Sequence, residues 1–338
     1  QHVNHGDFST KNELVTLINK TINYVNTEKS ISNFTIVSDD ISLKEYMKNK
    51  INKNYVELSY NFDIPKDKFK PITVEEFIHF KLSDLTNDVV LDFRQPADYI
   101  RSVSVKGKAV PYKLVNEHIL IEASYFSKGE NAIFISFRAG DMSLNRNDEF
   151  LYTLFVPDRA STAIPCFDQP NLKGRYSLTL SVPTDWTAIA NGPIQSEQVI
   201  NDKRVIVFGE TRPVSTYIFA FTAGKFKRVS QEKDGRQMTM LHRETDLEKV
   251  ERNKNEIFDL HSRAISWMEN YTGIDYPYQK FDFALIPGFQ YGGMEHPGAI
   301  FYKDASLFLD LSATKNQYLS RAGLISHETA HMWFGDLV

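Results

Sequence analysis

From Val56 onward apolar and polar residues alternate: Val56, Leu58, Tyr60, Phe62 and Ile64 are separated by Glu57, Ser59, Asn61 and Asp63. A period of two sends successive side chains to opposite faces, as in a strand with one face buried and the other wet. Comparable runs at 74–82, 89–93, 119–122, 133–137, 176–182, 205–208 and 217–221 predict an antiparallel β-domain. Turn chemistry falls between the runs, as in Lys106-Gly107-Lys108 and Asn191-Gly192-Pro193.

The period changes to helical on both sides of this stretch. Upstream, Thr10-Lys11-Asn12-Glu13 has the form of a capping box ahead of Leu14, Leu17, Ile18, Ile22 and Val25, and Ser42-Leu43-Lys44-Glu45 opens a second short helix. Downstream, Thr245-Asp246-Leu247-Glu248 caps a helix carrying Val250, Ile257, Leu260, Ala264, Trp267, Met268 and Tyr271 at helical spacing until Gly273. Residues 281–286 and 299–302 read as short strands. Thr314-Lys315-Asn316-Gln317 caps a last helix through Leu319, Ala322 and Leu324, with Gly335 as its stop. The chain thus divides into a helical extension, 1–41; a β-domain, 42–229; and a mixed segment, 230–338, introduced by the polar turn at 231–236.

Composition excludes more than it identifies. A 42% hydrophobic, 24% charged chain of 338 residues is ordinary for globular domains, and a net charge of −4 leaves no electrostatic footprint for nucleic acid. No apolar run reaches the length of a membrane span. One cysteine, Cys166, rules out an internal disulfide and reads as a core residue. The chain opens on Gln1, and its Asn-x-Thr sequons at Asn19, Asn33 and Asn270 match what so Asn-rich a sequence produces by chance. Localisation is left open, with a periplasmic or secreted protein favoured over a cytoplasmic one.

Two segments carry chemistry. In His327-Glu328-Thr329-Ala330-His331 the two imidazoles lie one helical turn apart on one face, so both can reach one metal ion while Glu328 points at an activated water. The plainer alternative is a pair of histidines satisfied under a neighbouring element. About thirty residues upstream, Phe289-Gln290-Tyr291-Gly292-Gly293-Met294-Glu295-His296-Pro297-Gly298 separates the two short strands; paired glycines let a backbone approach a ligand, and a carboxylate stands beside them.

Together these segments resemble the M1 family of zinc aminopeptidases, the gluzincins that include aminopeptidase N and leukotriene A4 hydrolase. Gly292-Gly293-Met294-Glu295 matches the family's Gly-x-Met-Glu-Asn motif, and His327 to His331 followed by Trp333-Phe334-Gly335 matches its zinc motif. The stretches Pro165-Cys166-Phe167-Asp168-Gln169-Pro170-Asn171-Leu172-Lys173 and Tyr276-Pro277-Tyr278-Gln279-Lys280-Phe281-Asp282 are also similar, in the family's order, over residues 54–338. The resemblance implies a multidomain α+β fold, an antiparallel β-sheet N-terminal domain followed by the first part of a thermolysin-like α/β catalytic domain. It implies one Zn²⁺ held by His327 and His331, Glu328 as general base, and Glu295 with Gly292, Gly293 and Met294 binding a peptide with a free N-terminus. The family's third ligand, a Glu after a spacer, and its transition-state Tyr would lie beyond Val338, so this 338-residue form is expected to hold zinc poorly and cleave little. Departures stand beside the matches: His296 replaces the family's Asn, and Leu154 and Val156 occupy positions where relatives offer a Gln and a second amine-binding Glu, leaving Asp158 as a nearby carboxylate. A non-catalytic scaffold and an epoxide hydrolase using the same site are the alternatives.

Overall fold

A computed structural model describes residues 56–337. The two helices expected before Val56, and the 1–41 extension, lie outside the described residues. The alternating stretches form an eight-stranded sheet ordered Ile194–Ile200, Lys203–Phe208, Gly174–Pro183, Val56–Asp63, Thr73–Leu82, Gly129–Arg138, Ile100–Val105, Lys108–Ala109. Its pairs are antiparallel except one: Val56–Asp63 runs parallel to Gly174–Pro183. Two three-stranded sheets complete the β-rich part, ordered Thr187–Ala190, Phe221–Gly224, Phe150–Tyr152 and Val89–Asp92, His118–Ile121, Lys113–Val115.

The predicted strand at 217–221 is corrected: Thr216–Ile218 is a turn of 3₁₀ helix, and the strand is Phe221–Gly224. All four residues of that strand are buried, so no alternation marked its limits. Ile194–Ile200 escaped prediction for the opposite reason, since every residue of this edge strand is exposed.

The remainder is a five-stranded sheet, ordered Lys227–Lys233, Arg236–His242, Phe283–Ile286, Ile300–Lys303, Gly293–Met294, with helices α1 (Leu247–Thr272), α2 (Asp304–Leu307) and α3 (Lys315–His331). Asp246, one residue later than the expected box, is the N-cap of α1: its carboxylate accepts from the Lys249 amide at 2.9 Å. Gly273 closes α1 in the left-handed region, φ 65°, where a side chain would be strained. The Thr314/Gln317 capping box of α3 forms in both directions. Gly335 does not stop that helix; α3 ends at His331, because the Met332 amide turns back to Thr329 and Ala330 and the chain tightens into turns.

Two faces of the five-stranded sheet meet different partners. Phe283, Leu285, Ile300 and Tyr302 join a core with Ile257, Phe258 and Ile265 of α1 and Ile325 of α3. Ala284, Ile286, Met294 and Phe301 instead join the core of the β-domain, as does Phe289 from the intervening loop. Tyr152 meets Phe289 and Phe301 edge-on, with ring centres 5.4 and 6.3 Å apart. The loop bearing Gly292 to Glu295 is therefore gripped from both halves.

Candidate active site

Helix α3 brings the two histidines together. Its buried stripe is Arg321, Ile325, Glu328 and Thr329, which turns His327 outward and leaves His331 half-buried. The far end is pinned by Trp333, whose indole N–H donates to Ile274 O at 3.0 Å and whose ring packs edge-on against Tyr276. The Nε2 atoms of His327 and His331 lie 3.2 Å apart. Two nitrogens each ~2.0–2.1 Å from one tetrahedral ion would be separated by about 3.3–3.4 Å, so the pair fits two positions of a zinc coordination sphere. His331 Nδ1 lies 3.2 Å from Phe334 O. A carbonyl can only accept, so Nδ1 carries the proton and Nε2 presents a lone pair to the site.

Glu328, between the histidines in sequence, points the other way from solvent. It is buried, and a Cβ on Gly293 would sit 2.5 Å from its Oε1; the carboxyl fills the space that this glycine leaves open. Burial first, and then the charge of Glu295, push the Glu328 carboxyl up to about 8. Gly293–Met294 is the edge strand of its sheet, pairing Gly293 with Tyr302 and Met294 with Phe301, and Gly292 O accepts from the Lys303 amide at 2.9 Å. Along this strand side chains alternate as its period requires: Met294 and His296 are buried while Glu295 remains accessible.

Most of the sequence-predicted residues thus fall in one place, with His327, His331, Glu328, Gly292, Gly293 and Glu295 at the contact between α3 and the edge strand, whereas the Met294 side chain turns into the β-domain core. His296 does not face it. Its ring is fully buried against Phe301, centres 4.6 Å apart, and burial holds it neutral by pulling its pKa down to about 3. Leu154 is buried in the β-domain core, and Asp158 turns to Arg94 at 3.0 Å, so that carboxylate forms a surface ion pair. Asp336, in the turn after α3, belongs to no motif that sequence reading could use. It is fully buried with neither oxygen hydrogen-bonded, and burial and the charge of Glu295 raise its pKa well above the carboxylate range while Lys173 pulls it the other way. Among the described residues no group of three or more His, Cys, Asp or Glu stands where it could hold a metal ion. None of their helices is long and apolar enough to cross a membrane.

The Peptidase M1 N-terminal domain matches residues 52–218, and the Peptidase family M1 domain matches residues 256–338. The chain belongs to peptidase family M1. It is 32% identical over 261 residues to "Probable aminopeptidase 2" of Sulfurisphaera tokodaii, covering 75% of this chain and 32% of that protein. It is 30% identical over 245 residues to "Leucyl aminopeptidase" of Saccharolobus solfataricus, covering 71% and 31%, and 34% identical over 199 residues to "Puromycin-sensitive aminopeptidase" of Caenorhabditis elegans, covering 57% and 21%. The chain spans about a third or less of the length of these curated relatives.

Proposed function

We propose that this M1 chain carries the substrate anchor, the general base and two metal ligands of a zinc-dependent aminopeptidase, which removes the N-terminal residue of peptides. The observation that supports this reading best is the seating of Glu328 on Gly293, which brings the base of the histidine helix against the strand that bears Glu295. His327 and His331 would hold the zinc as neutral imidazoles, with a third protein ligand supplied from outside the described residues. When bound, the ion would polarise the scissile carbonyl and lower the pKa of water from about 15.7 towards ~7.

The other roles belong to side chains and backbone already in position. With a cation held by the histidines, Glu328 would ionise despite its burial, take the proton of the attacking water and return it to the leaving amine. Glu295 accepts hydrogen bonds from the substrate's α-ammonium, an ionic contact that a blocked or internal residue cannot make. The free edge of Gly293–Met294 offers its backbone to an extended peptide, as an added strand would use it. With the ammonium fixed at Glu295 and the base fixed at Glu328, only the first peptide bond lies between them, and one amino acid leaves per turnover.

The deciding experiment uses a longer form of the protein that includes the third ligand, assayed for zinc content and for hydrolysis of an aminoacyl anilide. Glu328→Gln is expected to retain zinc and lose at least about a hundredfold in kcat. Normal turnover in that variant removes Glu328 from the mechanism. The 338-residue chain itself is expected to bind zinc much more weakly than the longer form, since affinity follows ligand count.

A further inference from the structure

Lys173 ends the Pro-Cys-Phe-Asp-Gln-Pro stretch of the β-domain, immediately before the strand Gly174–Pro183. Its root is fixed, because Gly174 and Val214 exchange both backbone hydrogen bonds at 2.9 Å. From there the half-buried side chain crosses to the histidine helix. Its ammonium donates to the carbonyl of Asp336 and, at 3.3 Å, to that of Leu337.

Those carbonyls belong to the turn that aims a metal ligand. The Asp336 amide bonds His331 O at 3.1 Å, and Phe334 O fixes the His331 ring through Nδ1. Three carboxyls gather on the same side: Glu295 and Glu328 act on the buried Asp336, and Lys173 is the cation that opposes them there. A cation beside carbonyls that follow a helix C-terminus is also favoured by the helix dipole.

We propose that Lys173 is a positioning residue of this site: it seats the turn that orients His331 and sets a fixed positive charge against the buried Asp336 before substrate arrives. The role rests on the aminopeptidase reading and adds to it. Two consequences differ from those of a residue that merely stabilises the fold. Without the ammonium, His331 is held less firmly, so turnover and zinc retention fall. The incoming substrate ammonium also meets no fixed like charge, so KM falls rather than rises.

The test compares Lys173→Met, Lys173→Gln and Lys173→Arg in the longer, zinc-loaded protein, using leucine anilide kinetics and the rate of zinc loss to a chelator. For Met and Gln, zinc loss should quicken by about tenfold, as for other groups that orient a metal ligand. Their kcat should fall by a similar factor while KM drops about threefold. Arg should restore all of these to within about twofold of wild type. Should the Met variant fail to fold, the Gln variant, polar but uncharged and too short to reach the carbonyls, decides alone. Wild-type zinc loss and kinetics in the Gln variant overturn the proposal, as does an Arg variant as impaired as Gln. A wild-type protein that keeps zinc yet cleaves no anilide sinks the aminopeptidase reading instead, and the zinc-loss comparison still judges Lys173.

Discussion

Glu76 gives the sharpest test of how the β-domain is held together. It lies on the strand Thr73–Leu82 directly opposite Tyr60, fully buried, and neither carboxyl oxygen has a hydrogen-bond partner. Tyr60 is close enough to pull the carboxyl slightly down, but the two side chains do not meet hydrogen-bond geometry, and burial raises Glu76 well above its ordinary 4.5. The folded protein therefore binds a proton that the unfolded chain releases above pH 4.5. Stability is lost as pH rises, by about 1.4 kcal/mol for each unit over which the buried acid stays protonated. Glu76→Gln keeps shape and neutrality but cannot titrate. Its advantage over wild type should grow from pH 4.5 upward, reaching about 2.7 kcal/mol after two units, or ~5–11 °C in Tm for a domain of this size. Thermal unfolding followed by circular dichroism at several pH values measures this, and contributions from other groups cancel in the difference. A Tm difference that is constant from pH 4.5 to 6.5 would refute the neutral, buried acid.

On the acid side the sign reverses. His296 and His261 are both held near 3 by burial, so the unfolded chain takes up protons below its ordinary 6.5 and stability falls as pH drops from 6.5 towards 3; His296→Leu should flatten this loss by about 1.4 kcal/mol per pH unit, and an unchanged slope in denaturant titrations would show that the ring is not neutral. At the site, Glu295→Ala in the longer protein should lower kcat/KM for free-amine peptides by at least about tenfold and leave N-blocked ones little affected; equal effects on both would remove the anchor role. For α1, Asp246→Ala should cost ~0.5–2 kcal/mol through its cap and Gly273→Ala about 1 kcal/mol through its left-handed backbone, whereas Thr245→Ala should be nearly silent; a larger effect at Thr245 than at Asp246 would place the cap wrongly.

What could be read ahead of the structure follows a physical rule. Val56–Asp63 and Gly129–Arg138 announce themselves because one face is buried and the other wet. Phe221–Gly224, dry on both faces, and Ile194–Ile200, wet on both, gave no period. At α1 the box was misplaced by one residue because Thr245 and Asp246 both suit an N-cap, and the Asp carboxylate is the one that reaches the third helical amide. The parallel pairing of Val56–Asp63 with Gly174–Pro183 joins segments too far apart for any local signal. The same division runs through the site. His327, Glu328 and His331 share one helix at fixed spacing, and Glu295 stands beside its glycines, so the motifs that carry them are local in sequence. Asp336 and Lys173 meet across 163 positions of sequence, and the importance of that contact depends on a burial that only the folded chain creates.

The division of the two cores bears on how such a site is kept accurate. Successive residues of Ile300–Lys303 face opposite ways: Phe301 packs into the β-domain, whereas Ile300 and Tyr302 pack towards α1 and α3. The adjoining edge strand takes its register from this one, so the height of Glu295 above the histidines is set by both cores at once. Met294, its neighbour, is held among β-domain residues, while Glu328 is held on the helix of the other core. A helical half that merely leaned on the β-domain would let that spacing drift, and for the function proposed above about 1 Å would be enough to cost ~10²-fold in rate. The shared aromatic contacts of Tyr152, Phe289 and Phe301, and the reach of Lys173 to the end of α3, are what tie Glu295 to Glu328 and the two histidines.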